Sequence, residues 1–149
     1  APIIGFNYGN KNTIQQKKVF QISIQFITVV SSLIFIFSRF GGTNIIRLFV
    51  DGTSEVYQIA ADGFTIFSYS FLFCGLNIFT SSMFTALSNG KVSAILSFLR
   101  TFGLLAGGIL LLPKICGLTG IWLAVPVAEG IMFLVSAACL LNYKEKYSY

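Results

Sequence analysis

Histidine is absent from this chain, and charged side chains make up only 10% of its 149 residues. Without imidazole there is no His metal ligand, no His general base and no Ser-His-Asp triad. A soluble domain carries roughly 25% charged residues, so less than half the usual solubilising charge is present. Cysteine is scarce too: Cys74, Cys116 and Cys139 form an odd, widely spaced set in apolar surroundings. They fit neither a disulfide framework nor a zinc site and read as small hydrophobes. No nucleophile–base pair is visible. An enzyme is therefore not expected, nor a catalytic residue, a bound metal or a cofactor.

What is present is apolar. Hydrophobic residues account for 55% of the chain, including sixteen Phe, and the mean hydropathy is +0.81. A water-soluble globule and a disordered tail are both excluded, which leaves an integral membrane protein. The net charge of +5 does not signal nucleic acid, because Lys and Arg sit mainly at the ends of apolar runs, as membrane topology demands. Ala1 is not an initiator Met, and the first apolar stretch lacks a basic leader. The expectation is a chain that begins inside a larger protein.

Crossing a hydrocarbon core takes roughly 20 helical residues. Four stretches qualify, 19–40, 64–87, 92–112 and 119–142, and residues 1–8 read as the tail of a fifth span. Alternation is absent, and lipid admits only helices or closed barrels, so the expected fold is an all-α bundle. Connectors follow: a polar 9–18 with three lysines, a tight turn at Ser88-Asn89-Gly90-Lys91, a Pro/Gly loop over 113–118, and a longer amphipathic 41–62. The last is expected to hold a short interfacial segment and then a helix capped near Thr53 or Ser54.

Alternate connectors share a side of the membrane. One side holds six basic residues, Lys11, Lys17, Lys18, Lys91, Lys144 and Lys146; the other holds three, Arg39, Arg47 and Lys114, with Asp51, Glu55 and Asp62. The positive-inside rule puts the first side in the cytoplasm with the C-terminus, and the 41–62 connector outside the cell.

Inside each span the polar residues share a helical face. They are Gln21, Gln25, Thr28 and Ser32 in the first; Ser70, Cys74, Asn77, Ser81 and Ser88 in the second. The third has Ser93, Ser97, Arg100, Gly103 and Gly107, and the fourth Trp122, Glu129 and Ser136. Small residues and hydroxyls commonly serve helix–helix contact in lipid, and Gly103-x-x-x-Gly107 suits that role. Two residues ask for more. Arg100 lies about 12 Å in from one face and Glu129 about 13 Å from the other. A charge at the bilayer centre costs at least ~2.5 kcal/mol on insertion scales, and such residues usually mark ion or substrate paths. The structural alternatives are a snorkelling Arg100 and a protonated or hydrogen-bonded Glu129. Joined by a short loop, their spans are expected to pack together. Pro126, three residues before Glu129, frees a carbonyl one turn earlier and permits a kink.

Residues 1–12 (APIIGFNYGNKN) resemble a Q-P-I-I-G-[FY]-N-Y-G-A-[KR]-N segment of multidrug and toxic compound extrusion (MATE) transporters. Residues 70–91 (SFLFCGLNIFTSSMFTALSNGK) and 92–129, with SFLR and GIWLAVPVAE, resemble that family's tenth to twelfth helices. The resemblance implies two six-helix lobes around a central cavity, this chain supplying the end of helix eight and helices nine to twelve. It implies export of drugs and other toxic, often cationic compounds across the cell membrane, by antiport with Na⁺ or H⁺. Helix seven, which supplies a C-lobe cation-site acid in some members, is missing. The helix-ten span has no acid between Phe64 and Leu87, only Asn77 at mid-depth.

The expected partners are the lipid bilayer, a missing N-terminal lobe and small-molecule drugs, and the fragment alone is expected to be inactive. Glu129, Arg100 and Asn77 are the candidates for the ion or substrate pathway; Ser70, Ser81, Ser97 and Trp122 are the candidates for the cavity lining. Two other readings compete. A lipid-linked oligosaccharide flippase of similar lobed architecture would want a strongly cationic cavity, yet Arg100 is the one basic residue buried within a span. A non-transporting membrane module leaves two buried charges without purpose.

Overall fold

The computed structural model describes all 149 residues, and every regular element in it is helical. A short α1 (Pro2–Gly9) precedes four long helices: α2 (Thr13–Arg47), α3 (Glu55–Ala86), α4 (Gly90–Cys116) and α5 (Leu118–Tyr147). The four long helices are apolar and long enough to cross a membrane. Their outer faces carry large exposed apolar side chains such as Phe26, Phe37, Phe98 and Leu134. In water that surface would be untenable; against lipid it is the ordinary outside of a bundle.

Local chemistry sets the helix ends. Asn12 caps α2 by accepting from the Gln15 amide at 3.1 Å. Ser54 caps α3 from the Tyr57 amide at 3.2 Å, so of the two expected cap positions Ser54 is used. Between α3 and α4, Ser88 takes a left-handed φ of 58° and Asn89 accepts from the Val92 amide at 3.3 Å.

Two connectors are shorter than the sequence suggests. The 41–62 stretch departs from the expectation only at its start: α2 stays helical to Arg47, and the helix expected after the Thr53 or Ser54 cap begins at Glu55. Gly41-Gly42 does not break α2, and Phe64 of α3 packs its ring where a side chain at 42 would stand. The 113–118 stretch is not a loop either, since α4 runs through Pro113 to Cys116. The reversal is made at Gly117 alone, at φ 58° and ψ −137°, a conformation reserved for glycine. Gly120 completes this hairpin, because a Cβ there would strike the backbone of Leu112 and Pro113.

Neighbours in sequence pack as neighbours in space: α2 on α3, α3 on α4, α4 on α5, and α5 back on α3. The densest packing lies at the end holding the 88–89 turn and the C-terminus. Met83, Phe84, Leu87, Leu96 and Met132 are almost fully enclosed there, with Ile4 of α1 against them. The C-terminus is tied down by polar bonds. Buried Gln16 donates to the Tyr147 carbonyl at 2.7 Å, Asn89 donates to the Tyr147 hydroxyl at 2.9 Å, and the Tyr149 hydroxyl donates to the Leu140 carbonyl at 2.9 Å. Burial pushes that Tyr149 hydroxyl well above its usual range, so it stays a neutral donor.

Candidate functional site

The helices bring Arg100, Glu129 and Asn77 together inside the bundle. Arg100 of α4 donates Nε and Nη2 to one carboxylate oxygen of Glu129, Oε1, at 2.9 and 2.6 Å. Asn77 of α3 donates its amide to the other oxygen, Oε2, at 2.7 Å and to the Glu129 carbonyl at 3.0 Å. Three helices thus converge on one carboxylate. This is the one ion pair in the structure, and in a medium of low dielectric it would be costly to break.

The two charges sit differently. The Glu129 side chain is 9% exposed and that of Arg100 is 29% exposed. The carboxylate is therefore enclosed, and the guanidinium lies between it and the outside. Asn77, with 1% exposure, spends its amide protons on Glu129 and leaves Oδ1 with no partner. An orphaned buried acceptor costs about 1–3 kcal/mol.

The backbone around Arg100 is also irregular. From Leu99 to Ala106 the helix widens to π-helical winding, which often marks functional sites. The wide turn shifts the register of α4 between Ser97 on one side and Gly107 on the other. Beyond it, Gly108 lets α4 lie close to α5, where a Cβ would already press on the Ala124 carbonyl.

Beside the ion pair, α3 and α4 form a half-open cavity of about 230 Å³ lined by Asn77, Ile78, Ser81, Ser82, Leu96, Ser97, Arg100 and Thr101. A chain of hydroxyls runs from it toward the 88–89 turn: Ser97 to Ser81 at 2.7 Å, Ser81 to Ser93 at 3.1 Å, and Ser93 to Thr85 at 2.7 Å. Ser81 and Ser97 thus line this cavity as the helical spacing suggests. Ser82 and Thr101 complete the wall, and Thr85 extends the hydroxyl chain. All three escaped the sequence reading, although the i, i+4 steps 81–85 and 93–97–101 would have shown two of them.

Two expected lining residues do not line it. Ser70 is buried in the bundle and donates to the Phe67 carbonyl of its own helix at 2.7 Å. It satisfies itself in a short 3₁₀ turn over Ser68–Ser70. Trp122 lies over Gly63 of α3, where any Cβ would run into the indole; it is a packing residue of the α3–α5 contact. The first-span stripe of Gln21, Gln25 and Thr28 is on the outside of α2, apart from the cavity. The three cysteines are free thiols.

The MatE family model matches residues 1–107. The match takes in α1, α2, α3 and the part of α4 that carries Arg100; Glu129 lies beyond it. No curated protein matches the chain, and no solved structure does.

Proposed function

The chain belongs to the MatE family of multi-pass membrane transporters, whose general role is multidrug efflux, and we propose that it is part of a secondary active exporter of drugs and other toxic, often cationic organic compounds. In this reading the exporter is an antiporter driven by Na⁺ or H⁺, with no resident cofactor and no enzymatic step. It sits in the cell membrane with its C-terminus in the cytoplasm, and residues 1–149 act as most of a C-terminal lobe beside an N-terminal one.

The observation that carries the reading is the Arg100–Glu129–Asn77 cluster beside a polar cavity. It sits on helices that are otherwise apolar, and ionisable groups at such depth usually serve a transport path. A carboxylate held by a guanidinium and an amide can trade its ion pair for a proton or a bound cation. The single guanidinium also speaks against the flippase reading, since a pyrophosphate-bearing lipid would need several cations around it.

The test is efflux of a fluorescent cationic dye from cells lacking their own exporters. The lobe is expressed with its N-terminal partner, as wild type and as Glu129→Gln. Wild type should lower dye accumulation, Glu129→Gln should lose most of that effect at equal expression, and residues 1–149 alone should not lower it. Unimpaired efflux by Glu129→Gln would remove the carboxylate from the mechanism. Efflux by residues 1–149 alone would defeat the two-lobe reading.

A further inference from the structure

The wall of the cavity between α3 and α4 keeps some donors that neither the ion pair nor the Ser97–Ser81–Ser93–Thr85 hydroxyl chain uses up. A guanidinium carries five N–H donors. Glu129 takes one from Nε and one from Nη2 of Arg100, which leaves three. Arg100 contributes to the cavity wall, and so do Ser82 and Thr101, whose hydroxyls stand outside the Ser97–Ser81–Ser93–Thr85 chain. No carboxylate is on that wall. Glu129 stands behind the guanidinium and neutralises it from the far side only. The result is a small recess rich in donors, with one partly compensated positive charge and no anion of its own.

We infer that this recess is a binding site for a small monovalent anion, either a free halide or a carboxylate group carried by a transported molecule. The charge count sets the valence, because a single guanidinium shared with Glu129 cannot compensate a dianion in a low-dielectric site. The volume of about 230 Å³ sets the size. A water occupies about 30 Å³ of liquid, so the recess takes one such ion with a few waters. Charge-assisted bonds from guanidinium and hydroxyl donors are the usual means of holding such an anion. Glu129 is then an internal competitor for Arg100, and removing its charge tightens the site. The inference concerns binding and stands whether or not the protein exports drugs.

The experiment is thermal unfolding of the purified protein in detergent, in sodium chloride and in sodium acetate, each against sodium sulfate at equal ionic strength. Four proteins are compared: wild type, Glu129→Gln, Arg100→Gln and the double variant Arg100→Gln/Glu129→Gln. Sulfate stabilises any fold by exclusion from its surface, so each rise is read relative to the double variant: in the monovalent salts wild type should gain about 1–3 °C over it, and Glu129→Gln more. The double variant has no unpaired charge, so it is a folded reference if Arg100→Gln alone does not fold. A rise with chloride but not acetate assigns the site to a halide; a rise with both assigns it to a monoanion in general, carboxylates included. An equal rise in the double variant and wild type would overturn the proposal, as would no rise in wild type or a smaller rise in Glu129→Gln.

Discussion

Removing Arg100 alone should harm the fold more than removing Arg100 and Glu129 together. In Arg100→Ala the carboxylate keeps only the Asn77 amide, with its side chain 9% exposed. Breaking a fully buried pair costs about 3–5 kcal/mol. Here the vacated guanidinium volume joins a cavity that already admits water, so the expected loss is about 2–4 kcal/mol. Glu129→Gln leaves the charge on Arg100, whose side chain is 29% exposed and can be hydrated, so about 1–2 kcal/mol is expected. In the double variant the glutamine that replaces Glu129 still accepts from Asn77, and no charge is stranded. Its loss should fall below the sum of the two single losses by at least about 1.5 kcal/mol. The assay is reversible unfolding in mixed micelles of increasing denaturing detergent, followed through the single Trp122. Additivity to within about 0.5 kcal/mol would mean that the two groups do not depend on each other. The cluster would then be two separate surface-hydrated charges.

Gly120→Ala should destabilise by about 1–3 kcal/mol through its collision with the Leu112–Pro113 backbone. Gly107→Ala, with open space around it, should be neutral or gain up to about 1 kcal/mol of helix propensity; thermal unfolding of the two variants separates them, and equal effects would contradict the packing of the α4–α5 hairpin. Gln16→Leu should cost about 1–2 kcal/mol by orphaning the Tyr147 carbonyl and should speed proteolysis of the C-terminus, and an unchanged cleavage rate would show that the bond does not hold it. For orientation, single cysteines in a Cys-free background at positions 17 and 145 should resist an impermeant thiol reagent in intact cells, while those at 52 and 114 react; the reverse pattern would place the C-terminus outside.

Much of the fold was legible because lipid leaves few alternatives. Each span announces itself by length and hydropathy, and the cap at Ser54 follows from its side chain. Helix ends next to glycine and proline were not legible. Gly42 looks like a breaker but makes room for Phe64, a contact 22 residues away in the chain. Pro113 looks like a loop residue but falls in the last turn of α4, where one lost hydrogen bond matters little. The same limit applies to the site. Charge at depth marked Arg100 and Glu129, and a shared face grouped Ser81 with Asn77. Helical periodicity assumes 3.6 residues per turn, however, and the π-helical stretch over Leu99–Ala106 breaks that count. Periodicity put Arg100 and Gly107 on one face. In the structure Arg100 lines the α3–α4 cavity while Gly107 borders α5. Trp122 and Ser70 stand away from this recess for another reason. A tryptophan fits over any glycine that opens opposite it, and a serine can bond its own helix, and neither event leaves a trace in spacing.

The exposed faces of α4 then constrain where this helix can stand. Ser97 and Thr101, at the mouth of the cavity, are exposed. One step around the helix, Phe98 and Phe102 are also exposed and stack at 5.2 Å between ring centres. Lipid suits the phenylalanines and penalises the mouth, because a partly exposed guanidinium and open hydroxyls at that depth need water or protein. The two surfaces adjoin on one helix, so α4 belongs at a border, with lipid on the aromatic side and a wet or protein-lined space on the other. A four-helix bundle surrounded by lipid on all sides has no such border. The polar mouth therefore belongs on a side of α4 that faces water or protein, and the stacked phenylalanines on a side that faces lipid.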